Sequence, residues 1–262
     1  MDTLTTGDGL RLHLRRWPAV GSARGTVQIV HGLGEHIERY AELAATLNAA
    51  GWHVAGHDQR GHGRSEGPRG AIPGSHALLY DLAAVSDHLR GAGRQAAQAV
   101  TQQASPARWQ REVDALVLSS PALDAGLNPA QRLLLRVLGT VAPNVGLGNG
   151  LKPAWLSRDT GVVARYVADP LVHRRVTPQL VRFIVDEGRH VLALAPRWRV
   201  PTLLMWAQAD RCVSPAGSQA FASAAPRGVV TAQGWPGLYH EIFNEPERDQ
   251  VTTRLTDWMA RL

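Results

Sequence analysis

Two side chains late in the sequence have the types and the setting for acid–base chemistry. Asp210 follows Pro201-Thr202-Leu203-Leu204-Met205-Trp206-Ala207, a run with the length and apolarity of a buried strand. A carboxylate beyond such a strand can accept the Nδ1–H of an imidazole, fixing its tautomer and stabilising the imidazolium. His240 sits in Gly237-Leu238-Tyr239-His240-Glu241, a loop between the last strand and the closing helix, where an imidazole can act as general base toward a hydroxyl. Residue type alone leaves other readings open. Asp210 also suits a helix N-cap or a solvated turn, and His240 is one of eleven histidines.

A third stretch can hold negative charge. Thr26-Val27-Gln28-Ile29-Val30 reads as a buried strand that breaks into His31-Gly32-Leu33-Gly34-Glu35-His36. Gly32 and Gly34 permit a tight backbone turn at the strand's carboxyl end, where N–H groups are free to bind an anion. The hydroxyl is harder to place. Gly63-Arg64-Ser65-Glu66-Gly67 has the Gly-x-Ser-x-Gly spelling, but it lies in a loop with no helix after it and reads as a decoy. Ser119 and Ser120 end a strand, and Ser105 precedes Pro106 in a turn-like setting.

The elements that must position these residues alternate. Leu10 to Trp17 alternates apolar and polar residues, as in a half-buried antiparallel strand at a sheet edge. Tyr40 to Gly51 has helical spacing closed by a glycine, and Trp52 to Asp58 is a second strand, so strand, helix and strand make a βαβ unit and a parallel sheet. Leu78 to Leu89 is a helix, and Ala115 to Ser120 a buried strand. From Leu123 to about Arg197 the strand signal disappears, and helical patterns at 131–138, 160–167 and 177–188 follow one another. The sheet resumes at 201–207, followed by a helix near 216–225, a strand around 228–232 and a closing helix over 247–262. The expectation is an α/β architecture with a mostly parallel sheet, a single domain over 1–262 with a helical lid inserted at about 123–197.

Composition bounds the function. The chain has 262 residues, 44% hydrophobic and 19% charged, in the range of globular proteins, and no run approaches a membrane span. The first residues lack the basic and apolar regions of a secretory signal, which suggests the cytoplasm. Cys212 is the only cysteine, which excludes an internal disulfide and a cysteine-based metal cluster and suggests a small core or surface residue. The charge of +6 is carried almost wholly by arginines spread along the chain, without a basic run interleaved with aromatics, so no nucleic-acid partner is expected.

Five stretches together resemble a family. His31 to His36, Asp58-Gln59-Arg60-Gly61-His62-Gly63-Arg64-Ser65, Ala115-Leu116-Val117-Leu118-Ser119-Ser120-Pro121, Ala209-Asp210-Arg211-Cys212-Val213 and His240-Glu241-Ile242-Phe243-Asn244-Glu245 are similar, in order, to signatures of the monoacylglycerol lipase and lysophospholipase branch of the α/β-hydrolases, which are serine aminopeptidase S33-type hydrolases. The resemblance runs from about Gly7 to the end. It implies an eight-stranded, mostly parallel sheet, a helical lid, and hydrolysis of a lipid ester by a serine, aspartate and histidine triad. Asp210 and His240 fall in the fold's order of acid then histidine, and the Leu33 N–H corresponds to one oxyanion-hole donor, the second coming from the residue after the nucleophile. No cofactor or metal is implied. The implied partner is a small lipid ester or acyl chain, with transient membrane-surface contact through the lid. Leu133, Leu134, Leu135, Val137, Leu138, Trp155 and Leu156 are apolar enough to line an acyl channel, and core packing explains them equally well.

The sequence departs from the family at the nucleophile. The family carries a strand running into Gly-His-Ser-x-Gly-Gly between the helix near Leu89 and the strand near Ala115. Residues 90–114 contain no β-branched run and no Gly-x-Ser-x-Gly, and Ala96 to Ala104 resembles a remnant of the helix after that elbow. A central strand and the catalytic serine are expected to be missing together. An impaired or inactive ester hydrolase follows; the alternatives are a non-catalytic lipid-binding relative and an internally deleted copy without function.

Overall fold

The structure, a computed structural model, describes residues 2–91, 96–97 and 109–262. Along these residues run the strands β1 (Asp2–Thr5), β2 (Arg11–Trp17), β3 (Gly25–Val30), β4 (Trp52–His57), β5 (Ala96–Ala97), β6 (Leu116–Ser119), β7 (Leu147–Gly148), β8 (Arg175–Val176), β9 (Thr202–Ala207) and β10 (Val230–Trp235). The helices are α1 (Ala41–Ala49), α2 (Ala77–Gly91), α3 (Pro129–Val141), α4 (Thr160–Ala168), α5 (Pro178–Leu194), α6 (Pro215–Ala224) and α7 (Arg248–Met259). They form two compact units, one of residues up to Asp114 with Pro170–Val176, the other of Ala115–Asp169 with Thr177–Leu262.

In the first unit the strands lie in the order β1-β2-β4-β3-β5. β3 and β4 are parallel and joined through α1, the βαβ unit expected from the sequence. α1 ends where Gly51 takes φ +84°, the left-handed conformation that stops a helix at little cost for a residue without Cβ. Leu12, Leu14, Ala55, Val85 and Leu89 form one buried cluster of its core, with Leu4 and Leu10 packed against it.

Two expectations need correction here. β2 is not an edge strand, because Asp2–Thr5, a segment with no strand pattern of its own, pairs antiparallel along it, Asp2 opposite Leu14 and Thr5 opposite Arg11. With partners on both sides, β2 buries Leu12, His13 and Leu14 in succession rather than alternating. Ala96 and Ala97 are not helical. They are extended and pair parallel with Thr26 and Val27, supplying partners to the outer side of β3. The rest of the stretch read as a helix remnant, residues 98–104, lies outside the described residues, as do Ser105 and most of the interval expected to lack the elbow.

The return of the chain at Pro170–Val176 pins two turns of this unit. His173 N–H donates to the Gly34 carbonyl at 2.9 Å. Gly70 takes φ +67°, and a Cβ there would stand 2.0 Å from the Arg175 carbonyl oxygen, so the backbones meet at a distance that only glycine allows.

In the second unit β10, β9 and β6 form a wholly parallel three-stranded sheet. Every residue of β9 is buried, the signature of a parallel strand covered on both faces. Trp198 meets Phe221 edge-on at 5.1 Å, and its Nε1–H donates to Thr202 Oγ1 at 2.8 Å, so the buried indole leaves no polar edge unpaired. The helices α3, α4 and α5 are those expected between 123 and 197, where strand is confined to the two-residue β7 and β8 among the described residues. Their starts are set by caps: Asn128 and Gln131 form a reciprocal capping box, Asp159 accepts two backbone N–H groups and Thr177 one. The outer face of α3 leaves Leu133, Leu134, Val137 and Val141 exposed.

Among the described residues the strands form separate ladders of five, three and two strands. Among the described residues β3 has only the two-residue β5 on its outer side, and β6 pairs with β9 alone.

Candidate active site

The structure brings Asp210 and His240 together. His240 Nδ1 lies 2.7 Å from Asp210 Oδ2, and the Asp210 side chain is 2% exposed against 27% for His240. Asp210 Oδ1 accepts the backbone N–H groups of Cys212 at 2.7 Å and Val213 at 3.1 Å, so the turn after β9 holds the carboxylate with its other oxygen aimed at the ring. This corrects the looser reading of Asp210 as a solvated turn residue. In the neutral ring Nδ1 carries the proton it donates, which leaves Nε2 as the basic nitrogen.

The loop carrying His240 is fastened at several points. Ala209 N–H donates to Leu238 O at 3.2 Å and Gln208 N–H to Trp235 O at 3.0 Å, tying the acid's loop to the histidine's loop. Glu241 N–H donates to Leu156 O at 2.9 Å. Glu245, fully buried, accepts from Arg158 N–H at 2.5 Å, Arg158 Nε at 2.6 Å and Tyr239 N–H at 3.3 Å. The sequence shows it only as the last residue of a motif; Arg158, and Ser157, whose hydroxyl donates to the neighbouring Asn244 carbonyl at 2.9 Å, carry no signal there.

The glycine turn in the first unit is equally fixed. Gln59 N–H donates to His31 Nε2 at 2.9 Å, so the proton of this neutral ring sits on Nδ1 and points to Gly32 O at 2.8 Å. Burial lowers the pKa of His31 and keeps it neutral. Glu35 accepts the Gly32 N–H at 2.6 Å, Tyr40 OH at 2.8 Å and Arg39 Nη1 at 2.5 Å. Burial raises the Glu35 carboxyl, but the Arg39 guanidinium and the Gly32 N–H and Tyr40 OH donors outweigh it and the net shift is downward, so it stays charged. Gly34 turns at φ +81°. Between them, the Leu33 N–H donates to no acceptor among the described residues.

The serines are accounted for differently. Ser65 is buried, its hydroxyl donating to the Asp58 carbonyl and accepting the His13 N–H at 2.8 Å, so this Gly-x-Ser-x-Gly is a loop clasp. Ser120 has φ +40°, the sole positive φ of a non-glycine among the described residues, yet its hydroxyl is buried and accepts the Ala207 N–H at 3.3 Å. Cys212, expected in the core or at the surface, is half-buried beside the acid and histidine. Burial, aided by Asp210 and Glu241, pushes its thiol up to about 12, which keeps it from being a thiolate nucleophile. Burial likewise holds His57 and His62 in the first unit at about 3.

Known proteins with the same features can now be set beside this geometry. A family model described as serine aminopeptidase, S33 matches residues 21–247. The monoacylglycerol lipase of Mycolicibacterium smegmatis is 34% identical over 272 residues, spanning 96% of this chain and 94% of that protein. Rat monoglyceride lipase is 28% identical over 274 residues, spanning 98% and 89%. Among solved structures, the monoacylglycerol lipase of Paleococcus ferrophilus superposes with a TM-score of 0.81 at 30% identity, covering 95% of this chain and 98% of that one. A soluble variant of monoglyceride lipase from Saccharomyces cerevisiae, solved with a substrate analog, gives a TM-score of 0.84 at 18% identity, a likeness of fold. The chain belongs to the serine aminopeptidase S33 family, and its fold is that of an α/β-hydrolase.

Proposed function

We propose that this chain is a carboxylic ester hydrolase of the monoacylglycerol or lysophospholipid type whose turnover is impaired at the nucleophile. The observation that carries the hydrolase reading is the 2.7 Å bond between His240 Nδ1 and the buried Asp210 carboxylate. In this reading Asp210 orients the ring, His240 Nε2 takes a hydroxyl proton, and the Leu33 N–H is one oxyanion donor. The impairment rests on the sequence, in which the family's Gly-His-Ser-x-Gly-Gly is missing between the helix and strand that should flank it. Triad members act as a unit, so without the serine a site keeps only the roughly 10³–10⁴-fold over water that binding and oxyanion contacts supply in proteases.

The helices of 123–197 act in this proposal as a lid of one hydrolase domain over 1–262, and the exposed Leu133, Leu134, Val137 and Val141 meet lipid. No helix among the described residues is long and apolar enough to cross a membrane, which suits a transient surface contact. The same apolar face favours a second reading, a protein that retains lipid without hydrolysing it.

Turnover of a p-nitrophenyl ester and of a monoacylglycerol, with and without His240→Ala, tests both. Slow hydrolysis that falls further in the variant is expected. Robust turnover abolished by His240→Ala would overturn the impairment, with fluorophosphonate labelling locating the serine responsible. Lipid binding with turnover indifferent to His240 would overturn the hydrolase reading.

A further inference from the structure

The acid–histidine pair shares its surroundings with the only sulfur of the cysteine type in the chain. One oxygen of Asp210, Sγ of Cys212 and one ring nitrogen of His240 all lie within 4.8 Å of one another, and all three residues are half-buried. Oxygen, thiolate sulfur and imidazole nitrogen are the three donor kinds zinc takes, and three protein donors leave a fourth position for water. We propose that Asp210, Cys212 and His240 form a binding site for a zinc-type divalent ion that competes with the acid–base work of His240.

Part of the site is built before any ion arrives. The Cys212 and Val213 N–H groups hold the Asp210 carboxylate through Oδ1, the way supporting partners orient a metal ligand. The Cys212 thiol makes only a long contact, 3.8 Å, to the Trp155 carbonyl, so little is lost when it turns to a metal. Zinc bonds of about 2.0–2.3 Å place tetrahedral donors roughly 3.3–3.8 Å apart. The Cys212 sulfur therefore needs to draw in by no more than about 1.5 Å, while the Asp210 and His240 atoms now hydrogen-bonded at 2.7 Å would part by about 0.6 Å or more as the ion takes the place of the proton between them, movements within reach of side-chain rotation.

The chemistry balances without a redox partner. Three coordinate bonds form, the S–H bond of Cys212 breaks, and its proton goes to solvent; the ring binds through the lone pair of one nitrogen while the other carries the proton. The positive ion supplies the charge that stabilises the thiolate, which burial and the neighbouring carboxylates otherwise oppose. With the ion in place, a nitrogen of His240 and the Asp210 oxygen are occupied. The pair then cannot orient and shuttle a proton.

Binding is read directly, so this inference and the hydrolase proposal fail separately. The full chain is titrated with cobalt(II) as a spectroscopic probe, and with zinc in competition with a chromophoric chelator. The expected result is one equivalent bound, with a thiolate-to-cobalt charge-transfer band and the strong visible bands of a four-coordinate ion. Cys212→Ser and His240→Ala should each weaken binding by more than the roughly 10–100-fold that loss of a mere supporting partner costs. Circular dichroism checks that the variants are folded, and Cys212→Ala should behave as Cys212→Ser does. Absence of the charge-transfer band, or affinity unchanged in Cys212→Ser, would overturn the site. So would a band that survives His240→Ala, which would mean adventitious binding by a thiol.

Discussion

Replacing Glu245 should loosen the histidine loop and destabilise its unit together. The carboxylate is fully buried and accepts two backbone N–H groups, those of Arg158 and Tyr239, as well as Arg158 Nε. In Glu245→Ala both N–H groups lose their acceptor, at about 1–3 kcal/mol each when left unsatisfied. The Arg158 side chain is 36% exposed and also pairs with Glu247, so its guanidinium turns to water and adds little. Partial entry of water into the space left behind offsets some of the loss, and the expected destabilisation is about 2–4 kcal/mol. Glu245→Gln keeps the shape and one acceptor and should cost about 1–2 kcal/mol. Urea unfolding measures both. Because Tyr239 adjoins His240, the exchange-protected imidazole Nδ1–H resonance, the mark of the bond to Asp210, should broaden or vanish in Glu245→Ala. A change below about 0.5 kcal/mol with that resonance intact would refute the reasoning.

Two further outcomes follow from the first unit. His57 and His62 sit at about 3, below the roughly 6.5 of an unfolded histidine, so the unfolded chain takes up protons first as pH falls. Stability that is complete above about pH 6.5 should then decline toward pH 3, with a slope near 2.7 kcal/mol per pH unit in mid-range for two such groups; urea midpoints between pH 4.5 and 7 read it, and a flat profile would contradict it. Gly70→Ala forces a Cβ onto the Arg175 carbonyl at a positive φ and should cost about 2 kcal/mol or more, with thermal unfolding unchanged if the two backbones do not meet there.

Local patterns announced most of this fold, because they reflect burial that each segment feels by itself. The largely apolar run of β9 and the glycine stop after α1 each state their role within a few residues. Asp2–Thr5 could not be read so, since its strand character lies in its pairing with β2, and Ala96–Ala97 likewise show theirs only in the pairing with β3. At the site, Asp210 and His240 were legible through motif order and the setting of their loops. Glu245 and Arg158 were not, since an ion pair between distant segments, buried only on the Glu245 side, leaves no periodicity. The nearness of Cys212 to the pair was equally silent, although its place two residues after the acid is in plain view.

The return of Pro170–Val176 to the first unit bears on how this chain reaches its native state. The contact of His173 with Gly34 closes over a loop that contains most of the second unit's opening half. Long-range closures of this kind come late, after local elements have formed, because the chain must first surrender the entropy of the intervening loop. The turn that presents Leu33 should therefore be among the last parts to set, and a nascent or truncated chain ending before residue 170 would carry a complete glycine motif with an unfinished geometry.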